Sequence, residues 1–358
     1  MALSNTSEVD TSMEAARHEL DDAVSPSAPP TTRSEPLVTD KYAYAFDING
    51  VLIRGGKPIP EAIEAMKVLN GENQYGIKVW VDISLDIASS VLTSFSPYIF
   101  VTNDGGKTEQ ERCVQPSQQL QMEVSPGQFI CGHTPMQETA ERYNIVLVVG
   151  GEGEKCRQVA EGHDFKDVVT PGDIIKGNQD TTPFRKLTEE EYKHSRARNF
   201  GKTEIEAIFV FADSWDWASD QQIILDLLMS KNGCLGTRFE TSEEGPPVFS
   251  HNDIVWSTSH DLTRISMGAL RVSLGVMFKA VTGKDLKTTA FGKPQIGTFQ
   301  FATRLLQQWR RDTYGIDSPP DTVYFVGDTP ESDIRGANEF NSCTENSWYS
   351  ILVRTGVL

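Results

Sequence analysis

Tyr42-Ala43-Tyr44-Ala45-Phe46-Asp47-Ile48-Asn49-Gly50-Val51-Leu52 is the stretch that decides the fold. Its first five residues are apolar and aromatic, which predicts a short buried strand. The strand ends in a carboxylate, Asp47, and a turn residue follows at Gly50. Pro60 then opens a helical pattern with Ile63, Met66 and Leu69 on one face. Proline suits the first helical turn, where its missing N–H matters least. The same order recurs twice. Residues 98–101 are apolar and end in Thr102-Asn103-Asp104-Gly105-Gly106, and residues 322–326 are apolar and end in Gly327-Asp328. Strands alternating with helices predict an α/β fold with a mostly parallel sheet. Such sheets bind ligands beyond the carboxyl ends of their strands. Asp47, Thr102 and Asp328 are therefore expected along one edge.

The rest of the 358 residues frames this reading. Residues 1–40 hold eight acids and two bases, are rich in Ser, Thr and Pro, and cannot bury enough apolar surface to offset chain entropy. They read as a disordered acidic tail. They are neither Arg-rich nor acid-poor, as a mitochondrial transit peptide would be, and they lack the apolar core of a secretory signal. Residues 124–284 read as a separate α/β unit, with strands at 145–149 and 205–211 and helices at 219–228 and 267–281. Residues 181–199 read as a charged loop. Core segments at 41–123 and 285–358 flank this unit. A net charge of −17 disfavours nucleic acid. No apolar run is long enough for a transmembrane helix. The five cysteines are scattered without CxxC, as expected of reduced thiols.

Candidate chemistry gathers at four motifs. Asp47 can act as a nucleophile or a metal ligand. Asp328 and Asp333 frame an acidic loop whose oxygens suit Mg²⁺, which prefers hard ligands. Thr102 and the N–H groups after it can hold phosphate oxygens. Lys293, in Phe291-Gly292-Lys293-Pro294, supplies a point charge before a predicted helix. Together they describe Mg²⁺-assisted phosphoryl transfer, in which catalysis is mostly positioning and charge stabilisation. Dinucleotide binding at Val148-Val149-Gly150-Gly151-Glu152-Gly153 is the weaker reading, because that stretch lacks the last glycine of GxGxxG.

The order of these motifs resembles the haloacid dehalogenase superfamily. The unit between Thr102 and Lys293 is similar to the C2-type cap of subfamily IIA. The match is closer still to the fungal branch of the cat eye syndrome critical region protein 5 family. Phe46-Asp47-Ile48, Phe100-Val101-Thr102-Asn103, Gly132-His133-Thr134-Pro135, Phe291-Gly292-Lys293-Pro294-Gln295 and Tyr324-Phe325-Val326-Gly327-Asp328-Thr329-Pro330 carry it. The resemblance implies a Rossmann-like parallel-sheet core with an inserted α/β cap and a phosphatase of small phosphorylated metabolites. Asp47 would attack phosphorus and bind Mg²⁺. The carbonyl of Asn49 and Asp328 would be further ligands, and Asp333 would support the metal loop. Thr102, Asn103 and Lys293 would hold the phosphoryl group. The resemblance also implies a homodimer through the cap, a mitochondrial setting and glycerophospholipid metabolism. The acidic tail points instead to the cytoplasm.

The sequence departs from that pattern at four places. Relatives carry an acid–base Asp two residues after the nucleophile, where this chain has Asn49. An amide cannot exchange a proton at neutral pH, and such help is worth about 10²–10⁴-fold. Mg²⁺ binding with weak turnover is expected, and a pseudoenzyme that binds metal or a phospho-ligand is the alternative. Asp104 replaces a glycine and reads as a solvent-pointing side chain. Residues 79–96 read as an insertion, and the chain reads as shortened after Leu358, with an unprotected edge strand near 351–353.

Overall fold

A computed structural model of the protein describes residues 37–38, 41–71, 94–240, 244–256, 258, 260–344 and 347–355. The expected tail at 1–40 and insertion at 79–96 lie almost wholly outside these residues. In chain order the principal elements begin with β1 (Tyr42–Phe46), α1 (Pro60–Leu69), β2 (Tyr98–Val101), α2 (Glu109–Leu120) and β3 (Phe129–Ile130). Then come β4 (Ile145–Val149), α3 (Lys155–Gly162), β5 (Asp167–Val169), β6 (Ala207–Val210), α4 (Trp217–Leu228), β7 (Val248–His251) and α5 (Met267–Thr282). Last are β8 (Thr288–Phe291), α6 (Ile296–Tyr314), β9 (Thr322–Gly327), α7 (Arg335–Cys343) and β10 (Trp348–Leu352).

Two five-stranded parallel sheets organise the molecule. The first runs β10-β9-β1-β2-β3, the second β8-β7-β6-β4-β5. Side chains alternate across the first sheet. Ala43 and Ala45 pack with Phe299, Ala302 and Phe340 of α6 and α7, while Phe46 packs with Met66 of α1 and Leu120 of α2. In the second sheet Leu147, Val149 and Ile208 pack on α4 and α5, and Val146, Val148 and Phe209 pack on Val159 of α3. Each of the buried Val, Leu, Ile, Phe and Met side chains is worth about 1.5–3 kcal/mol relative to exposure.

The expected α/β architecture, a parallel-sheet core with an inserted α/β unit, is what the chain builds. Strand membership moves the seams: β3 belongs to the first sheet and β8 to the second, so the changeovers follow Ile130 and Phe291 rather than residues 124 and 284. The stretch 181–199 contains a short helix, Glu189–His194, nucleated by a capping box between Thr188 and Glu191. All five cysteines are free. The last strand covers Trp348–Leu352, starting three residues before and ending one before the expected 351–353, and lies at the sheet edge with Tyr349, Ile351 and Leu352 exposed. No helix among the described residues is long and apolar enough to cross a membrane.

β1 sits at the point where the chain's direction of sheet growth reverses, with β2 and β3 on one side and β9 and β10 on the other. The crevice past the strand ends there is where open α/β sheets bind ligands.

Candidate active site

Asp47 is the first residue beyond β1, and its N–H donates to the Val326 carbonyl at 2.9 Å. The turn after it is wound tightly: Leu52 and Ile53 N–H groups both donate to the Ile48 carbonyl at 2.9 Å, and Gly50 takes a φ of +82° that favours glycine. The hydrogen bonds of this turn end on the Ile48 and Ile53 carbonyls, not on that of Asn49.

Lys293 follows β8 and returns the chain from the second sheet to the first. Its ammonium lies 2.9 Å from Asp47 Oδ1 and 2.8 Å from Asp333 Oδ1, and it is 1% exposed. Burial opposes its charge, but the Asp333 and Asp47 carboxylates outweigh that and hold its pKa above the ordinary lysine value. Burial pushes Asp47 well up; Lys293 opposes this and the Asp333 and Asp328 charges add to it.

Asp333 shapes the loop after β9. Its Oδ2 accepts from the N–H groups of Asp328 at 3.0 Å and Thr329 at 3.1 Å. The loop closes on it because residue 327 has no side chain: a Cβ there would stand 2.3 Å from the Asp333 Cβ. With both oxygens engaged, Asp333 is a support, whereas Asp47 and Asp328 face the cleft.

Carboxylate oxygens of Asp47, Asp328 and Asp333 lie within 4.8 Å of one another. Three buried acids against one lysine leave an excess of negative charge, and the donors are all oxygen. That donor set fits a hard divalent cation such as Mg²⁺.

Thr102 is the first residue after β2, with its N–H on the Ile130 carbonyl, and its hydroxyl accepts from the Asp104 N–H at 3.2 Å. Asn103, expected to hold the phosphoryl group, makes three hydrogen bonds within the protein. Its Oδ1 accepts from the Lys293 N–H at 2.7 Å, and its Nδ2 donates to the Lys293 carbonyl at 3.0 Å and to Asp253 Oδ2 at 2.8 Å. Its amide is a brace between the lysine and the second sheet.

The solvent-pointing reading of Asp104 is corrected. Its Oδ2 accepts from Asn49 Nδ2 at 2.7 Å and from Arg112 Nη1 at 3.2 Å. Two departures from the family pattern thus touch: the amide at 49 donates where a second carboxylate would be repelled.

Asp47, Asn49, Thr102, Asn103, Asp104, Lys293 and Asp328 all line one cleft of about 540 Å³. The second sheet contributes Asp253, Trp215 and Trp256 to its wall. Sequence reading missed Asp253 and Arg112. Asp253 had a signal, since it follows β7 as Asp47 follows β1; Arg112 had none, being one more charge on a helix. Gly151 and Glu152 also reach the cleft wall from the turn after β4, a strand-turn without a dinucleotide fingerprint.

The chain as a whole has relatives among known proteins. Residues 44–166 match the haloacid dehalogenase-like hydrolase family, and residues 290–358 match a HAD-hydrolase-like family. The chain belongs to the haloacid dehalogenase-like hydrolases. It is 35% identical over 339 residues to a mitochondrial hydrolase of Saccharomyces cerevisiae, covering 88% of each chain. It is 37% identical over 318 residues to the cardiolipin synthase (CMP-forming)/mitochondrial hydrolase fusion protein of Schizosaccharomyces pombe, covering 88% of this chain and 48% of that protein. The chain therefore spans about half the length of the fusion protein. A possible sugar phosphatase of the superfamily from Cytophaga hutchinsonii shares the fold at a TM-score of 0.54 and 16% identity, over 89% of this chain and 86% of that one.

Proposed function

We propose that this hydrolase is a Mg²⁺-dependent phosphatase of small phosphorylated metabolites, acting through an aspartyl-phosphate on Asp47. The observation that carries the reading is the Asp47–Lys293–Asp333 ion bridge at the floor of the cleft. An Asp47 oxygen attacks phosphorus, the phosphorus–ester oxygen bond breaks, and the alcohol leaves with a proton from solvent. Water then attacks the acyl phosphate and frees Asp47 and phosphate. Lys293 neutralises charge on the nucleophile and on the transferring group, and Thr102 donates to a phosphoryl oxygen. Asp47, Asp328 and the Asn49 carbonyl would hold Mg²⁺, which when bound supplies further charge neutralisation. With Asn49 in the acid–base position, turnover is slow and the phosphoenzyme accumulates.

Incubation with p-nitrophenyl phosphate and Mg²⁺, followed by peptide mass analysis, tests this. A phosphoryl adduct on the peptide that holds Asp47, absent without Mg²⁺ and absent from Asp47→Asn, is expected. No adduct and no nitrophenol release would leave only the pseudoenzyme.

Relatives named as mitochondrial hydrolases support a mitochondrial setting, and the fusion of one to cardiolipin synthase supports a glycerophospholipid-related substrate. Val272 and Val276, one turn apart and exposed on α5, support a homodimer through the inserted unit.

Asp253 gives the cleft a pH dependence. Burial first, and then the Asp333 and Asp104 charges, push it up to about 6 against the Asn103 bond and Lys293. Above about pH 6 it becomes an anion facing the phosphoryl group, so KM is expected to rise between about pH 6 and 8. Asp253→Asn should flatten that rise relative to wild type with the same substrate, which cancels the substrate's own titration. Because its folded pKa lies above the ordinary 3.8, its stabilisation is full below that value and lost as pH rises to about 6. An unchanged KM–pH profile in Asp253→Asn would reject the assignment.

A further inference from the structure

Away from the acidic centre, three side chains from three different elements converge on one interior point. Glu109 is the first residue of α2, set by the capping box between Thr108 and Glu111. His133 lies just past β3, and His163 closes the C-terminus of α3. One ligand atom from each lies within 4.8 Å of the others. His133 is fully buried, and the His163 and Glu109 side chains are 9% and 19% exposed.

The hydrogen bonding of this trio is incomplete. His133 Nε2 lies 3.1 Å from the Lys107 carbonyl, which can only accept. Nε2 therefore carries the proton, and Nδ1 keeps a lone pair. That Nδ1 is buried with no hydrogen-bond partner, and so is His163 Nδ1. His163 Nε2 stands 3.4 Å from both Glu109 oxygens, long for a hydrogen bond. Buried polar atoms are nearly always satisfied, so an orphaned nitrogen on each of two imidazole rings, one of which also faces a carboxylate through its other nitrogen, calls for an occupant. An imidazole that donates its other N–H to a backbone carbonyl is the usual way a metal-binding histidine is oriented. Thr134 Oγ1 donates to Glu109 Oε1 at 2.5 Å and orients the carboxylate in turn.

We infer that Glu109, His133 and His163 form a second metal site, of the two-histidine-one-carboxylate type, that takes Zn²⁺ or a similar transition metal. Nitrogen donors separate it from the all-oxygen centre at Asp47 and Asp328, which suits Mg²⁺. A metal takes its histidine ligands as neutral imidazoles. Burial lowers His133 to about 3, so its imidazole is neutral. Metal–nitrogen bonds of about 2.0–2.1 Å need the three ligand atoms drawn slightly closer by side-chain rotation. Among the described residues no fourth His, Cys, Asp or Glu joins the trio, which leaves a position for water. A metal here would tie α2, packed on the first sheet, to α3, packed on the second.

Full-length protein with its acidic centre saturated by Mg²⁺ would be titrated with Co²⁺ and followed by visible absorption. One equivalent with the intense bands of four- or five-coordinate Co²⁺ is expected, displaced by Zn²⁺. His163→Gln and Glu109→Gln should each weaken this binding at least tenfold while keeping the Mg²⁺-induced rise in Tm. X-ray absorption of the zinc-loaded wild type should show imidazole scattering. Weak octahedral bands alone, oxygen-only scattering, or equal affinity in both variants would overturn the site. None of these readouts depends on phosphatase turnover, so failure here and failure of the Asp47 chemistry are told apart.

Discussion

Asn49→Asp alone is expected to change kcat by less than about tenfold, whereas Asn49→Asp combined with Asp104→Gly raises it by about 10²–10⁴-fold, the usual worth of general acid–base help. The reason is the 2.7 Å contact between Asn49 Nδ2 and Asp104 Oδ2. Replacing the amide with a carboxylate there sets two acids against each other. Carboxylates that close share one proton, and a proton held between residues 49 and 104 is not free for a leaving group. Removing the Asp104 carboxylate releases the new acid. It also frees Arg112, now paired with Asp104 at 3.2 Å, to attract phosphate, so KM should fall in Asp104→Gly itself. Steady-state assays of the four proteins with p-nitrophenyl phosphate and Mg²⁺ form a double-mutant cycle. Full recovery in the Asn49→Asp single variant would show that the pair is not coupled.

Lys293→Met should cost both catalysis and stability. The lysine sits between Asp47 and Asp333, and all three are at most 12% exposed at the side chain. Removing one partner of a buried ion pair leaves an uncompensated charge, at about 3–5 kcal/mol. A lost electrostatic stabiliser of the transition state costs about 10²–10³-fold in kcat. Denaturant unfolding would read the first loss and turnover the second. Mg²⁺ should restore part of the stability, because it replaces the missing positive charge, and Asp333→Asn in the same chain should restore part without Mg²⁺. A Lys293→Met protein as stable as wild type in the absence of Mg²⁺ would mean that the bridge does not form in solution.

The sequence carried the three strand-end motifs because each is local. Apolar residues 42–46, 98–101 and 322–326 announce strands by themselves, and Asp47, Thr102 and Asp328 follow directly. A parallel sheet then fixes which edge they share. The helix after Pro60 and that ending at Leu228 were equally legible from their apolar spacing, with Ile223, Ile224, Leu227 and Leu228 buried as the pattern implies. The short helix at Glu189–His194 was hidden by charge, although its Thr188-x-x-Glu191 capping box was there to be seen.

What the sequence determined by itself was the class of fold and the members of the acidic centre, since hydrophobic periodicity and turn chemistry act over a few residues. The tertiary structure alone decided the use of those members. Asn49 meets Asp104 across 55 residues, and Asn103 meets Asp253 across 150. Those pairings depend on strand register and on how the second sheet rests against the first. Asp104 reads as a stray charge until Asn49 is beside it, and His133 and His163 read as scattered histidines until the packing of α2 and α3 brings them together with Glu109. Side-chain partnership at long range is set by packing, which no local pattern encodes.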